Sequence, residues 1–331
     1  MLKCIYDYIA TLSMVIDTHS HLSFKAYDKD RDEVIKRTQK QGIICIDVGT
    51  KYETSERVVE LAKKYEGIYA AIGMHPFHIK TDLIKLKLDP EEGAFAPLGE
   101  EFDKEKYKKL AESKKVVAIG EIGLDYYYKP KIPMAEPSRT LDKIGAKIKL
   151  EQFKEKQKQV FLQQLDLARE LNLPVILHCR MAQQNLIEIL KSKIKNQKSK
   201  INGVVHCFTG TLEDEKNYLD LGLYLGFNGI IFKIDPHAKP GQDSRVGGGL
   251  KTAGSGVGVN LDEVIKKCPI ESMLVETDCP YLTPPQEDKN TRNEPIFVKH
   301  VIQRIAELKE VSFEQVANQT TQNAKVLFKL P

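Results

Sequence analysis

Short apolar runs recur along the chain, separated by longer stretches of mixed polarity. Val15-Ile16 is the first. Ile43 to Val48, Ile68 to Gly73, Val116 to Glu121, Pro174 to His178, Gly203 to His206, Tyr224 to Phe227 and Met273 to Asp278 follow. These runs are continuous rather than alternating, as expected for strands of a parallel sheet covered by helices. Between them, residues 53–65, 151–172, 182–194, 213–221 and 296–309 carry apolar positions at helical spacing. About eight strands alternating with helices predict an α/β fold, and that is the strand number of a (β/α)8 TIM barrel. A doubly wound sheet is the alternative, but no glycine-rich dinucleotide fingerprint follows the first strand.

The chain has 331 residues, 41% of them hydrophobic, enough for a sizeable core. A barrel of this length forms one domain. We place that domain at residues 14–331, with residues 1–13 as an N-terminal extension and insertions near 80–104, 129–150 and 236–259. The last of these is glycine-rich and is expected to be a flexible loop over the C-terminal face of the barrel. It is no P-loop, because no Gly-Lys-Ser/Thr stands at the required spacing.

Fifty basic and 46 acidic residues leave a net charge of +4, which neither demands nor excludes a polyanionic substrate. The six cysteines form no CxxC pair, and four lie in strand-like segments, so we expect buried free thiols in a reducing compartment. No apolar stretch is long enough to span a bilayer, and the N-terminus lacks a convincing signal-peptide cleavage region. The expectation is a cytoplasmic monomer with no membrane association.

The chemistry gathers at strand ends. His19 and His21 flank one residue after the first run, and residues i and i+2 of a strand point to the same side. Two imidazoles leaving a strand together can grip one metal ion. Glu121, His178, His206 and Asp278 close four further runs. A lone histidine on an apolar strand is usually a hydrogen-bonded core residue, and an acid at a strand end is often a helix cap. The conjunction decides, because active sites of barrel enzymes are built at the C-terminal ends of the strands. Six ligand groups suit two ions bridged by a carboxylate, an arrangement used to hydrolyse phosphate esters. Mixed imidazole and carboxylate donors accept Mg²⁺ or Mn²⁺, with Zn²⁺ also compatible.

Longer motifs carry a resemblance. Ile16-Asp17-Thr18-His19-Ser20-His21-Leu22, Gly73-Met74-His75-Pro76 and Gly120-Glu121-Ile122-Gly123-Leu124-Asp125-Tyr126 are the first three. Pro174-Val175-Ile176-Leu177-His178-Cys179-Arg180, His206-Cys207-Phe208-Thr209-Gly210 and Glu276-Thr277-Asp278-Cys279-Pro280-Tyr281-Leu282 follow, then Arg292-Asn293-Glu294-Pro295 and Thr320-Thr321-Gln322-Asn323-Ala324. In these segments the chain resembles the TatD family of metal-dependent deoxyribonucleases, over about residues 14–329. The resemblance implies that His19, His21, Glu121 and Asp278 hold a first ion and that Glu121, His178 and His206 hold a second. It further implies Asp278 as the general base, and His75 and Arg180 as the groups that hold the scissile phosphate. Arginine suits that task because guanidinium meets phosphate in bidentate geometry. Met181 stands where the family commonly has an acid.

The resulting expectation is a two-metal deoxyribonuclease, a 3′–5′ exonuclease acting on single-stranded DNA or 3′ ends. The alternative is hydrolysis of a carboxylic ester or amide, such as an aminoacyl-tRNA, because fold and metals do not settle substrate. A non-catalytic binding module is disfavoured by the intact ligand set.

Overall fold

The computed structural model describes residues 14–81, 83, 90–92, 99–127, 140–197, 200–233, 260–288 and 290–331. The expected extension 1–13, the glycine-rich stretch 236–259 and parts of the other two insertions lie outside the described residues.

Eight parallel strands run in sequence order: β1 (Val15–Ser20), β2 (Ile43–Val48), β3 (Ile68–Ile72), β4 (Val116–Asp125), β5 (Val175–Arg180), β6 (Gly203–Val205), β7 (Tyr224–Phe227) and β8 (Met273–Val275). Past its last ladder residue the β8 chain meets β1. Asp278 N–H donates to the His19 carbonyl, and His21 N–H donates to the Cys279 carbonyl, both at 2.9 Å. The Thr18 hydroxyl adds a bond to the Val275 carbonyl. This is the nearly closed TIM barrel that the alternation predicted.

The described helices are α1 (Arg31–Lys40), α2 (Tyr52–Lys64), α3 (Lys104–Leu110), α4 (Thr140–Glu170), α5 (Gln183–Gln197), α6 (Leu212–Asp220), α7 (Leu261–Lys267), α8 (Val298–Lys309) and α9 (Phe313–Phe328). Their apolar faces pack on the outside of the sheet. Inside, Ile16, Ile46, Val48, Ala71, Ala118, Ile176, Val204 and Leu274 form one cluster with Leu327 and Phe328 of α9. The barrel is therefore filled, not a pore. Thr321 of α9 donates to the Met14 carbonyl, and Asn323 donates to the carbonyls of Ile270 and Met273. These partners precede β1 and open β8, so α9 covers the N-terminal end of the barrel and leaves the C-terminal end for chemistry.

Helix α4 clamps two strand ends. Buried Gln157 accepts from the Asp125 N–H and donates to its carbonyl, both at 2.9 Å. Buried Gln164 does the same for Met74, at 2.7 and 3.0 Å. Each amide satisfies a buried backbone donor and acceptor together, which explains why glutamine is tolerated on an apolar face.

The Arg292-Asn293-Glu294 motif ties the loop after β8 to α1. Asn293 donates to the carbonyls of Thr277 and Tyr281, and Glu294 takes Arg37 in a bidentate pair with both bonds 2.6 Å. Cys45, Cys179, Cys207, Cys268 and Cys279 are all free thiols, as expected of the described cysteines. Among the described residues, no helix is long and apolar enough to cross a membrane.

Candidate active site

The imidazoles of His19 and His21 meet above β1, with their Nε2 atoms 3.2 Å apart. The Nδ1 of His21 lies 2.8 Å from the Val48 carbonyl, which can only accept. That nitrogen therefore carries a proton, and Nε2 is the atom turned to the site. Nε2 of His21 stands 3.5 Å from Asp278 Oδ1, and Nε2 of His19 stands 3.8 Å from the same oxygen. Asp278 lies three residues past β8, in the left-handed backbone region at φ 56°. Aspartate is one of the residues that tolerate that region. The turn sends its carboxylate over the barrel mouth.

Glu121 occupies the centre. It sits mid-strand, because β4 continues to Asp125 beyond the end expected for it. Its Oε2 is 3.5 Å from His19 Nε2. Its Oε1 faces His178 Nδ1 at 2.7 Å, His206 Nε2 at 3.2 Å and His75 Nε2 at 3.6 Å. One carboxylate thus serves two histidine groups, one through each oxygen.

The far nitrogens of these rings are held as well. His206 Nδ1 is 3.0 Å from Glu276 Oε1, and the same oxygen accepts from Cys207 N–H and Asn228. His178 Nε2 is 3.3 Å from Asp125 Oδ2. Carboxylates behind histidines fix tautomer and ring orientation at metal sites. His19 differs, since its buried Nδ1 has no partner among the described residues. Asp125 and Glu276 carry no assigned role in the sequence reading, although both lie in quoted motifs. Strand parity carried the signal for Asp125, four residues past Glu121 within β4, whereas Glu276 and Asp278 both lie past the end of β8, where parity does not apply.

Burial alone would raise the Glu121 carboxyl, but the surrounding histidines outweigh it and hold it well below the usual carboxylate range. Asp278 is likewise lowered against burial, by its bond to His21 and the neighbouring imidazoles. Burial opposes protonation of His178, yet Asp125 and Glu121 raise it to about 9. His75 moves the other way. Burial, reinforced by His178, pushes it down to about 3. Its Nδ1 accepts from Phe77 N–H at 3.0 Å, so the proton of the neutral ring stands on Nε2.

Two ionised carboxylates among convergent imidazole nitrogens form a pocket for positive charge. The pairs His19-His21 and His21-Asp278 set acceptor against acceptor unless a proton or cation lies between them. Three groups bring candidate ligand atoms within 4.8 Å of one another: His19, His21 and Glu121; His19, His206 and Asp278; and His75, Glu121 and His178, the last with the His75 Nε2 already carrying the ring proton. The donor set therefore fits divalent cations that accept mixed nitrogen and oxygen ligands.

The cluster floors a cavity of about 510 Å³. Arg180 lines it on the β5 side, with its guanidinium carbon 3.6 Å from the centroid of the Tyr127 ring. Phe24, Phe77 and Tyr281 add aromatic surface, and Thr50, His78 and Glu92 add a second polar patch near β2 and β3. All eight residues singled out in the sequence thus line or floor one site. Met181, directly after Arg180, takes up a left-handed backbone at φ 57° where the chain leaves β5.

A family model described as TatD related DNase matches residues 16–329. An uncharacterized metal-dependent hydrolase of Bacillus subtilis (strain 168), YabD, is 36% identical over 319 residues, spanning 96% of this chain and 100% of the relative. The 3′-5′ ssDNA/RNA exonuclease TatD of Erwinia billingiae is 32% identical over 322 residues, spanning 96% of this chain and 100% of its own. Among solved structures, the TatD homolog YJJV of Escherichia coli K12 superposes with a TM-score of 0.68 at 27% identity, covering 98% of this chain and 100% of that one.

Proposed function

The chain belongs to the TatD-related DNase family of metal-dependent hydrolases, and from that premise we propose that it is a two-metal 3′–5′ exonuclease of single-stranded DNA. The observation that carries the reading is the central Glu121, with one carboxylate oxygen turned to His19 and the other to His178 and His206. His19, His21, Glu121 and Asp278 would hold one divalent ion, and Glu121, His178 and His206 the other. Bound there, the ions would supply Lewis acidity to a phosphoryl oxygen and make a water more acidic. Mg²⁺ and Mn²⁺ suit the carboxylates, and Zn²⁺ is also compatible with the imidazoles.

The chain's own residues divide the remaining work. Asp278, ionised and at the mouth of the barrel, accepts the proton of the attacking water. His75 holds its proton on Nε2, the nitrogen that faces Glu121, so it is a hydrogen-bond donor there rather than a ligand. A phosphoryl oxygen is the acceptor it would take. Arg180, held over the Tyr127 ring, would offer its guanidinium fork to a second oxygen. Asp125 and Glu276 keep the rings of His178 and His206 in place. A cavity of about 510 Å³ suits a strand end or an unpaired nucleotide better than the body of a duplex.

The test is a 5′-labelled single-stranded oligonucleotide incubated with the metal-loaded enzyme. The expected product is a ladder that shortens from the 3′ end and releases nucleoside 5′-monophosphates. Hydrolysis of p-nitrophenyl esters or aminoacyl-tRNA with the oligonucleotide left intact would replace this reading with the acyl-hydrolase one.

A further inference from the structure

The polar patch near β2 and β3 is separate from the metal-ligating cluster. Glu92, whose side chain is 8% exposed, accepts from the Thr50 hydroxyl through Oε1 and from His78 Nε2 through Oε2, the latter at 2.8 Å. The short segment bearing it is pinned to the β1 loop, where Ala26 N–H donates to the Glu91 carbonyl at 3.0 Å and Lys25 N–H to the Glu92 carbonyl at 3.4 Å. On the other side, Glu100 N–H donates to the His78 carbonyl at 2.7 Å. Both side chains are therefore fixed, and both line the cavity. Burial would raise the Glu92 carboxyl, but His78, Thr50 and Lys51 outweigh it and bring it down to about 2. The patch thus holds an ionised carboxylate, with His78 and Lys51 beside it, inside a pocket proposed to receive a polyanion.

The distance between patch and cluster gives this charge a use. The His78 ring centroid lies 6.4 Å from that of His75, the residue assigned to the scissile phosphate. That is on the scale of one sugar unit of a nucleic-acid strand. A terminal sugar whose scissile phosphate is held by His75 would have the reach to bring its far substituent to His78 and Glu92. A carboxylate with a spare lone pair accepts a hydrogen bond from a hydroxyl, whereas a phosphate at the same point brings like charge.

We propose that Glu92, braced by His78 and Thr50, is a specificity-determining residue that accepts the terminal 3′-hydroxyl of the strand and refuses strands ending in a 3′-phosphate. The proposal rests on the exonuclease reading. It assigns a function to a residue of the 80–104 stretch, which the sequence marked only as an insertion.

Two 5′-labelled single strands of identical sequence, one ending in a 3′-hydroxyl and one in a 3′-phosphate, test it with the metal-loaded enzyme. The wild-type protein is expected to shorten the hydroxyl-ended strand at least about tenfold faster, given the strength of like-charge repulsion in a partly desolvated site. Glu92→Gln is expected to collapse that ratio toward one, chiefly by speeding attack on the phosphate-ended strand. Thr50→Val, which removes one brace but no charge, is expected to keep the preference for the hydroxyl end. Equal wild-type rates on the two strands would overturn the proposal even if a variant failed to fold. So would an unchanged ratio in folded Glu92→Gln. Failure of the wild-type enzyme to shorten either strand would instead overturn the exonuclease reading on which it stands.

Discussion

Glu121→Gln is expected to lower kcat by about 10³-fold or more, the scale on which members of one catalytic unit fail together. The substitution preserves shape and removes only charge. Charge is what the geometry requires at this point, because four histidines face the carboxylate, three through Oε1 and one through Oε2. A neutral amide would offer one oxygen and one N–H₂ group, and the N–H₂ side would turn a donor toward nitrogens that must keep lone pairs for a cation. The ion content of the purified protein, measured by mass spectrometry, is therefore expected to fall together with activity. A variant that keeps its ions and works within tenfold of wild type would remove Glu121 from the centre of the site.

Asp278→Asn is expected to separate the two properties. Asparagine keeps an oxygen to place beside His19 and His21, so most of the bound metal should remain. It cannot take a proton from water. A loss of about 10²–10⁴ in kcat follows, the usual contribution of a general base, while KM for an oligonucleotide should move only a few-fold. The left-handed backbone at this position also accepts asparagine, so folding should be undisturbed. Parallel loss of metal and activity, as in Glu121→Gln, would make Asp278 a ligand without a role as base.

The barrel was legible because its strands are short continuous apolar runs, and every run named from the sequence contains or overlaps a strand. The gaps have physical causes. Helix α1 was missed because its buried face is narrow, only Val34, Ile35 and Thr38 among charged residues. Helix α9 begins at a Ser312/Gln315 capping box, a local signal that the apolar periodicity did not single out. The lysine-rich start of α4 looked like part of an insertion, yet residues 140–150 are helical and continue to Glu170.

Strand β4 appeared to end at Glu121 because Gly120 and Gly123 interrupt its pattern. Gly123 is instead a place of close approach. Its φ is 148°, and a Cβ there would lie 2.0 Å from the His178 carbonyl oxygen, so only glycine lets β4 and β5 stay paired beside the site. Extending the strand would have revealed Asp125 as a partner for His178. Glu92 had no such signal, since its contacts with Thr50 and His78 join residues far apart in the sequence.

The central claim is that the cluster around Glu121 binds divalent ions which make it a nuclease. The most direct measurement is degradation of a single-stranded DNA by protein stripped of metal with chelator and then titrated with Mg²⁺ or Mn²⁺. The stripped protein is expected not to cleave. Activity is expected to recover with added metal, to saturate at two ions per chain and to shorten the strand from its 3′ end. Cleavage that persists without metal, or protein that binds two ions and leaves DNA intact, would contradict the central claim.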